Sequence, residues 1–144
     1  MIVTTISKIL LDEPLRNILL LSSRIEQLEI LKELFDKYHP TVPSTFYIGK
    51  MKKKELEEAQ GAQVFFATYE MVNEGFDLPK LDTLILATPR SKVEQSVGRI
   101  MRQKNSCRKP FIIDIVDKIP IYRGQAMKRK KLYKSLNYTI TEIK

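Results

Sequence analysis

The sequence predicts an α/β fold of three layers, in which helices cover both faces of a mainly parallel central sheet. Two observations predict it. Short apolar runs alternate along the chain with helical patterns, which is the arrangement of repeated strand–helix–strand units. The apolar runs are also nearly continuous, as expected for strands that are buried on both faces. With 144 residues the chain can bury a sizeable core, so we expect one domain over residues 1–144.

The predicted elements follow one another without a repeat or a low-complexity linker. Apolar runs of about four to six residues predict the strands, and apolar residues three or four positions apart predict the helices. In chain order we expect a helix at about 2–13, a strand at 18–21, a helix at 24–38, a strand at 45–48, a short helix at 52–60, a strand at 64–67, a short helical turn, a strand at 84–87, a helix at 92–102, a strand at 111–116, a helix at about 122–135 and a last strand at 138–143.

The individual helices rest on different signals. The first is expected to pack on the outside of the sheet. In the second, Ile25, Leu28 and Leu31 recur at helical spacing and are followed by Leu34 or Phe35. The third is short and charged, with lysines facing glutamates along its surface. Glycines end the third and fourth helices, because glycine readily adopts the backbone conformation of a helix end.

The composition excludes several kinds of site. A single cysteine, Cys107, rules out an internal disulfide and a zinc site built from several cysteines. The one histidine, His39, stands beside Pro40 at a predicted helix end, where a capping or surface role is expected. No signal peptide or apolar run of membrane length occurs, so we expect an intracellular protein that does not contact a membrane.

The positive charge is concentrated near the end of the sequence. Residues 118–144 hold eight Lys and Arg against one acid, whereas residues 1–117 are nearly balanced. The basic residues include Lys128-Arg-Lys-Lys131 and Lys134, in the predicted last helix. Such a block attracts polyanions, most often nucleic acid, and salt-sensitive binding is therefore expected. A solvated helix face remains the alternative.

The segment Gln95-Ser-Val-Gly98-Arg99-Ile-Met-Arg102 carries the strongest chemical signal. In a helix at 92–102, Gln95, Arg99 and Arg102 lie on one face, spaced i, i+4 and i+7. Two guanidinium groups and a carboxamide on one face suit the oxygens of a phosphate. A solvated basic face is the alternative for this segment alone, so its neighbours decide between the two.

Polar segments follow each of the first four predicted strands. In a parallel sheet these segments share the edge at which ligands bind. The third is Thr-x6-Gly-Phe-Asp-x-Pro, beginning at Thr68, and the fourth leads into Gln-x-x-Gly-Arg-x-x-Arg, beginning at Gln95. These two segments resemble motifs V and VI of the second RecA-like lobe of superfamily 2 helicases. The resemblance to that lobe covers about residues 17–117. Within the superfamily, two further segments resemble the corresponding segments of one branch, which includes DNA-repair, phage and large-DNA-virus helicases. They are Ala87-Thr-Pro89 and the run at 112–117.

The resemblance implies roles for the residues of motif VI. Arg102 is expected to act as the arginine finger that stabilises charge developing on the phosphates of ATP, with Arg99 as a second ligand of the γ-phosphate. Gln95 would bridge the nucleotide or water to the contacts between lobes. Gly98 would let the backbone approach its neighbour closely, at a cost of about 1 kcal/mol relative to alanine in a helix.

The resemblance also implies cofactor contacts in motif V. Gly75 allows a turn after the short helix, and Asp77 would contact the ribose of ATP or the coupling network. The alternative for Asp77 is an aspartate that stabilises the turn before Pro79. Thr68 would bind a phosphate of the nucleic acid, or cap the short helix that follows it.

Nucleic-acid contacts are expected in the segments that follow the first two strands. Ser23, Arg24, Gly49 and Lys50 occupy positions where the family holds one strand by its backbone, although ordinary surface charge also explains Arg24 and Lys50. Such contacts do not depend on base sequence and are weakened by salt. We expect DNA rather than RNA as the partner, and a viral source agrees with the branch that the sequence resembles.

The sequence contains no phosphate-binding loop of the form Gly-x4-Gly-Lys-Ser/Thr and no Asp-Glu-x-His or Asp-Glu-x-Asp motif. In the family these belong to the first lobe. We therefore expect an N-terminal RecA-like lobe, in cis or in trans, to hold most of ATP and Mg²⁺, and expect this chain alone to be inactive. A non-catalytic nucleic-acid-binding module derived from a helicase lobe is the alternative; a chance match to another nucleotide-binding α/β enzyme has the least support.

Overall fold

The computed structural model describes the chain in seven ranges, 2–49, 53–59, 61–73, 81–88, 110–115, 120–136 and 138–140. These ranges hold five strands and five helices. In chain order they are α1 (Ile2–Asp12), β1 (Ile18–Ser22), α2 (Ile25–Tyr38), β2 (Ser44–Tyr47), α3 (Lys53–Ala59), β3 (Val64–Thr68), α4 (Tyr69–Asn73), β4 (Thr83–Leu86), β5 (Phe111–Asp114) and α5 (Pro120–Ser135).

The five strands form one sheet in the order β2-β3-β1-β4-β5, and every neighbouring pair is parallel. The predicted α/β architecture is therefore confirmed. At the centre of the sheet, Leu21 of β1 lies opposite Ala67 of β3 and Leu86 of β4. Because all strands run the same way, the segments that follow them leave from one edge, which we call the carboxyl edge.

The core lies on both faces of this sheet. Ile18 and Leu20 of β1 point to one face, where they meet α1 and α2. Leu19 and Leu21 point to the other face, where Tyr133 of α5 packs against the same cluster. Alternate residues of a strand point to opposite faces, so an apolar run such as β1 is buried whole between two helical layers.

The helices on the first face follow the predicted pattern closely. Leu28, Leu31 and Phe35 of α2 are buried, whereas Leu34 is exposed. Helical periodicity had left Leu34 and Phe35 as alternatives, and the structure selects Phe35, whose ring packs against that of Phe66 at a centroid distance of 6.0 Å. The other described helices begin and end within about two residues of their predicted limits.

His39 connects the end of α2 to α1. Its backbone N–H donates to the carbonyl oxygen of Phe35 at 2.8 Å, and its ring stacks on the Phe35 ring with centroids 5.0 Å apart. Its Nε2 lies 2.6 Å from the hydroxyl of Ser7 in α1. These contacts agree with the structural role expected for a histidine at a helix end.

The predicted last strand does not form over residues 138–140. Tyr138 instead turns back onto α5: its N–H donates to the carbonyl oxygen of Tyr133 at 3.0 Å, and the two rings stack with centroids 6.4 Å apart. Packing on the helix thus replaces strand pairing at this position. The predicted helix at 92–102 and Cys107 lie outside the described residues.

A buried ion pair joins the amino ends of β1 and β4. Arg16 and Asp82 are 1% and 0% exposed, and Arg16 Nη1 lies 3.6 Å from Asp82 Oδ1. Arg16 also donates to Thr83 Oγ1 at 3.1 Å, while Asp82 Oδ1 accepts from the Asn17 N–H at 3.0 Å. Glu13 lies 2.7 Å from the other side of the guanidinium group. Two opposite charges are thus buried together at the edge away from the predicted site.

In the parts of the chain that the structure describes, each helix is too short or too polar to cross a membrane.

Candidate functional site at the carboxyl edge

The segments predicted to bind ligands leave the sheet side by side. Ser22 at the end of β1 lies opposite Thr68 at the end of β3. Tyr47 at the end of β2 lies opposite Ala67, the residue before Thr68 in β3. The backbone beyond β4 continues the pairing, because the Ala87 N–H donates to the carbonyl oxygen of Leu21 at 2.8 Å. The sheet therefore brings the ends of four strands to one edge, as expected for a parallel sheet.

Thr88 ties three of these loops together. Its hydroxyl oxygen accepts a hydrogen bond from the Ser23 N–H at 2.9 Å and lies 3.3 Å from the Ser23 hydroxyl. Its carbonyl oxygen accepts from the Tyr69 hydroxyl at 3.0 Å. Tyr69 is the first residue of α4 and is buried. Thr88 thus fixes the end of β4, from which the Gln95–Arg102 segment follows in sequence, against the ends of β1 and β3.

Sequence reasoning placed Thr88 in a resembling segment but gave it no structural role. The signal was nevertheless present, because a threonine that ends a buried parallel strand shares its edge with the serine that follows the neighbouring strand. The hydroxyl of Thr88 can therefore reach across one strand spacing of about 4.8 Å to the backbone of Ser23.

Ser22 rather than Arg24 organises the beginning of α2. Arg24 stands at the N-cap in an extended conformation, with φ −117° and ψ 114°, and its side chain makes no capping hydrogen bond. Its N–H donates to the Ser22 hydroxyl oxygen at 3.0 Å, and that hydroxyl donates to Gln27 Oε1 at 2.6 Å. The guanidinium group of Arg24 is left on the exposed surface, as a backbone contact to nucleic acid requires.

Gly49 and Thr68 occupy different environments at the same edge. Gly49 is exposed beyond β2, beside α4, where an added Cβ would lie 3.9 Å from the sulfur of Met71. Thr68 is 6% exposed. It immediately precedes α4 and therefore stands at the N-cap position of that helix. Its position agrees with the capping alternative for this threonine, and a phosphate would have to approach a largely covered side chain.

Seven predicted site residues lie outside the described residues. They are Lys50, Gly75, Asp77, Gln95, Gly98, Arg99 and Arg102. Their assignments stay predictions. Among the residues that are described, no group of three His, Cys, Asp or Glu side chains is arranged to hold a metal ion.

A second polar cluster at this edge was missed by sequence reasoning. Asp114, the last residue of β5, accepts two hydrogen bonds from the Arg129 guanidinium group, at 2.7 Å from Nε and 2.8 Å from Nη2. It also accepts one from the Tyr133 hydroxyl at 3.0 Å. Arg129 is 1% exposed. Helical spacing was the available signal, because Arg129 and Tyr133 are four residues apart and so share a face of α5.

The Asp114 cluster predicts a loss of stability at alkaline pH. Burial of the Tyr133 hydroxyl raises its pKa above the ordinary value of 10.0, and the negative charge of Asp114 raises the pKa further. The unfolded chain therefore releases the phenolic proton first. The stabilising contribution is fully present below pH 10.0 and is lost as the pH rises toward the pKa of the folded state.

Tyr133→Phe tests this pH dependence, because the variant has no phenolic proton to lose. At pH 7 we expect the variant to be less stable by about 1 kcal/mol, through loss of the hydrogen bond to Asp114. Above the ordinary tyrosine pKa of about 10 the wild-type protein should lose this advantage. Urea unfolding followed by circular dichroism measures both proteins across the range. A difference that stays constant with pH would contradict the prediction.

Comparison with known sequences found relatives in large DNA viruses. A protein of Acanthamoeba polyphaga mimivirus, provisionally named ATP-dependent RNA helicase L396, is 36% identical over 129 residues. The match covers 87% of this chain but 24% of that protein, so the chain spans about a quarter of its length. The uncharacterised protein 108L of Invertebrate iridescent virus 3 is 40% identical over 93 residues, which cover 64% of this chain and 84% of that protein. No known protein-family profile matches the chain.

Comparison with solved structures found the same fold. The C-terminal part of the Fun30 ATPase domain gives a TM-score of 0.72 at 12% identity, and covers 88% of this chain and 43% of that one. Domain 2 of the DEAD-box helicase Mss116p, solved on an RNA duplex, gives a TM-score of 0.71 at 14% identity. That match covers 97% of this chain and 56% of that one. At such identities the likeness establishes a shared fold.

Proposed function

Since the chain belongs to the superfamily 2 helicases, as a C-terminal RecA-like domain of the kind found in large DNA viruses, we propose that it is the second motor lobe of an ATP-dependent helicase or translocase. A viral source is part of this proposal. The observation that carries it is the junction at Thr88, which holds three loops of the carboxyl edge together and precedes the Gln95–Arg102 segment in the sequence. An arginine finger must be held in a fixed position by its own domain if it is to reach a nucleotide that another lobe binds.

In this proposal the lobe completes an active site whose other half lies on an N-terminal lobe, in cis or in trans. ATP and Mg²⁺ are held mainly by that lobe. Arg102 and Arg99 reach the triphosphate and stabilise the charge that develops as the phosphoryl group is transferred. Gln95 links the nucleotide to the contacts between lobes. The loop with Gly75 and Asp77 contacts the ribose of ATP or the coupling network, and Gly98 allows the close approach of the backbone.

The nucleic acid runs along the same edge in this proposal. Its backbone contacts the exposed Ser23, Arg24 and Gly49, together with Lys50 and Thr68. The names of the mimivirus relative and of the Mss116p complex include RNA, whereas the sequence led us to expect DNA. Competition between DNA and RNA strands of one sequence for this chain decides which is preferred.

Reconstitution tests the motor assignment. The chain alone is expected to hydrolyse ATP negligibly, because the phosphate-binding loop and the magnesium carboxylate are absent from its sequence. Mixing it with the cognate N-terminal lobe is expected to restore turnover that rises when nucleic acid is added. The matched control is the N-terminal lobe with nucleic acid but without this chain.

Two results would contradict the motor proposal. ATP turnover by the purified chain alone would show that it holds a complete site. A mixture that assembles and binds nucleic acid, but shows no turnover above the control, would favour the alternative of a non-catalytic binding module.

A further inference from the structure

The outer face of α5 is a row of exposed lysines. Lys128, Lys130, Lys131 and Lys134 are all exposed. The helix Pro120–Ser135 holds six Lys and Arg residues and no acid. Four like charges within about 9 Å along a helix axis repel one another, and a polyanion relieves that repulsion. The row is therefore a candidate binding surface in its own right.

The Asp114 cluster fixes the direction in which this row points. Arg129 lies inside the basic block but is 1% exposed and hydrogen-bonded twice to Asp114. Tyr133, one turn further on, packs on the sheet and binds the same carboxylate. The buried arginine and tyrosine hold α5 by one side, so the lysines on its other side face solvent as a fixed array.

The outer surface of α2 differs in charge from that of α5. It lies on the opposite face of the sheet and carries exposed Glu26, Glu29 and Glu33 beside exposed Lys37. A helical layer and the sheet separate these acids from the lysines of α5. On its buried side α5 contacts the carboxylate of Asp114, which is already paired with Arg129.

The geometry points to α5 as a second nucleic-acid contact of this lobe, separate from the Ser23–Arg24 and Gly49 loops. We propose that Lys128, Lys131 and Lys134 bind the phosphate backbone without regard to base sequence. They recur every third residue, so their side chains form one stripe along the helix. The proposal shares its ligand with the proposed function but needs neither ATP nor the N-terminal lobe.

Nucleic acid fits this face better than an anionic membrane does. A helix that binds a membrane surface inserts an apolar face among the lipids. The apolar side of α5, with Leu132 and Tyr133, is already packed against the sheet. Among the side chains of α5 that the structure describes, the outer side presents lysines and the large apolar side chain of Met127, which is 71% exposed. A surface dominated by lysines matches a phosphate backbone, where affinity comes from counterion release.

The test compares two triple variants of the full chain that change net charge equally. Lys128→Gln, Lys131→Gln and Lys134→Gln remove the stripe on α5. Lys8→Gln, Lys37→Gln and Lys54→Gln remove three exposed lysines from α1, α2 and α3. Glutamine is about as good a helix former as lysine, and thermal unfolding confirms that both variants fold. Fluorescence anisotropy measures binding to labelled single strands of about 20 nucleotides.

The α5 variant is expected to bind about tenfold more weakly at low salt. Its plot of log affinity against log salt between about 50 and 200 mM should be shallower by about 2, from roughly 0.7 per lost phosphate contact. The control variant should stay within about twofold of wild type. Equal losses in both variants, or tighter binding of the wild-type chain to phosphatidylserine vesicles than to the strand, would overturn the proposal. Neither result depends on ATP turnover, so the motor assignment is tested independently.

Discussion

Arg102→Ala is expected to lower the nucleic-acid-stimulated ATPase rate of the reconstituted two-lobe protein by at least about a thousandfold. Arginine fingers contribute about 10³ to 10⁵ to the rate of phosphoryl transfer, because the guanidinium group meets negative charge that is largest in the transition state. Alanine removes that group entirely. Arg102→Lys should recover little of the loss. A guanidinium group donates two parallel hydrogen bonds to phosphate oxygens, and an ammonium group cannot reproduce that geometry.

The matched control for Arg102→Ala is Arg90→Ala, an arginine of the same sequence segment outside the Gln95–Arg102 octet. It should leave the rate within about twofold of wild type, because the resemblance assigns Arg90 no contact with the nucleotide. Both variants should bind labelled nucleic acid as the wild-type lobe does. Turnover that survives in Arg102→Ala would exclude this residue as the finger, and a parallel loss of nucleic-acid affinity would assign it to the nucleic-acid site instead.

Arg16→Met is expected to reduce the free energy of unfolding by about 3–5 kcal/mol. Methionine is long enough to fill the space beside the Phe111 ring, whose centroid lies 3.9 Å from Arg16 Cζ. It cannot balance the charge of Asp82, which is 0% exposed. Removing one partner of a buried ion pair leaves the other charge in a medium of low polarity, and the cost is set by that remaining charge.

Glu13→Gln is the matched control for the buried pair. Its carboxylate also contacts the Arg16 guanidinium group, but that side chain is 40% exposed. Water screens such a contact, so the loss should stay below about 1 kcal/mol. Urea unfolding at neutral pH measures both variants. A loss below about 1 kcal/mol in Arg16→Met would mean that the remaining donors to Asp82, such as the Asn17 N–H, are enough to stabilise its carboxylate.

The sequence predicted β1, β3 and β4 well, because each is a compact apolar run that is buried on both faces of the sheet. It could not predict the sheet order, since β1 pairs with strands that begin about 45 and 65 residues later. Long-range pairing depends on how the layers pack rather than on any local pattern. The sequence likewise could not predict whether Leu34 or Phe35 is buried, because this depends on packing of the Phe35 ring against Phe66 of a distant strand.

The polar contacts were less predictable than the core. The basic block at 128–131 looked uniform in sequence, yet Arg129 turns inward while its lysine neighbours face solvent. Its partner Asp114 belongs to a strand and lies outside the helix, so charge counting within the block could not separate them. Arg16 and Asp82 gave no signal at all, because each is a single charged residue near the start of an apolar strand.

The central place of β1 has a consequence for synthesis on the ribosome. β1 precedes the other described strands in the sequence, and both of its neighbours, β3 and β4, come later in the chain. About 60 residues separate β1 from the end of β4, and at about 5–20 residues per second their translation takes roughly 3 to 12 seconds. Until β3 is made the run Ile18–Ser22 has no neighbouring strand, and until β4 is made one of its edges stays unpaired. A nascent chain arrested before β3 should therefore expose an apolar strand with two open edges, which is a typical substrate for chaperones.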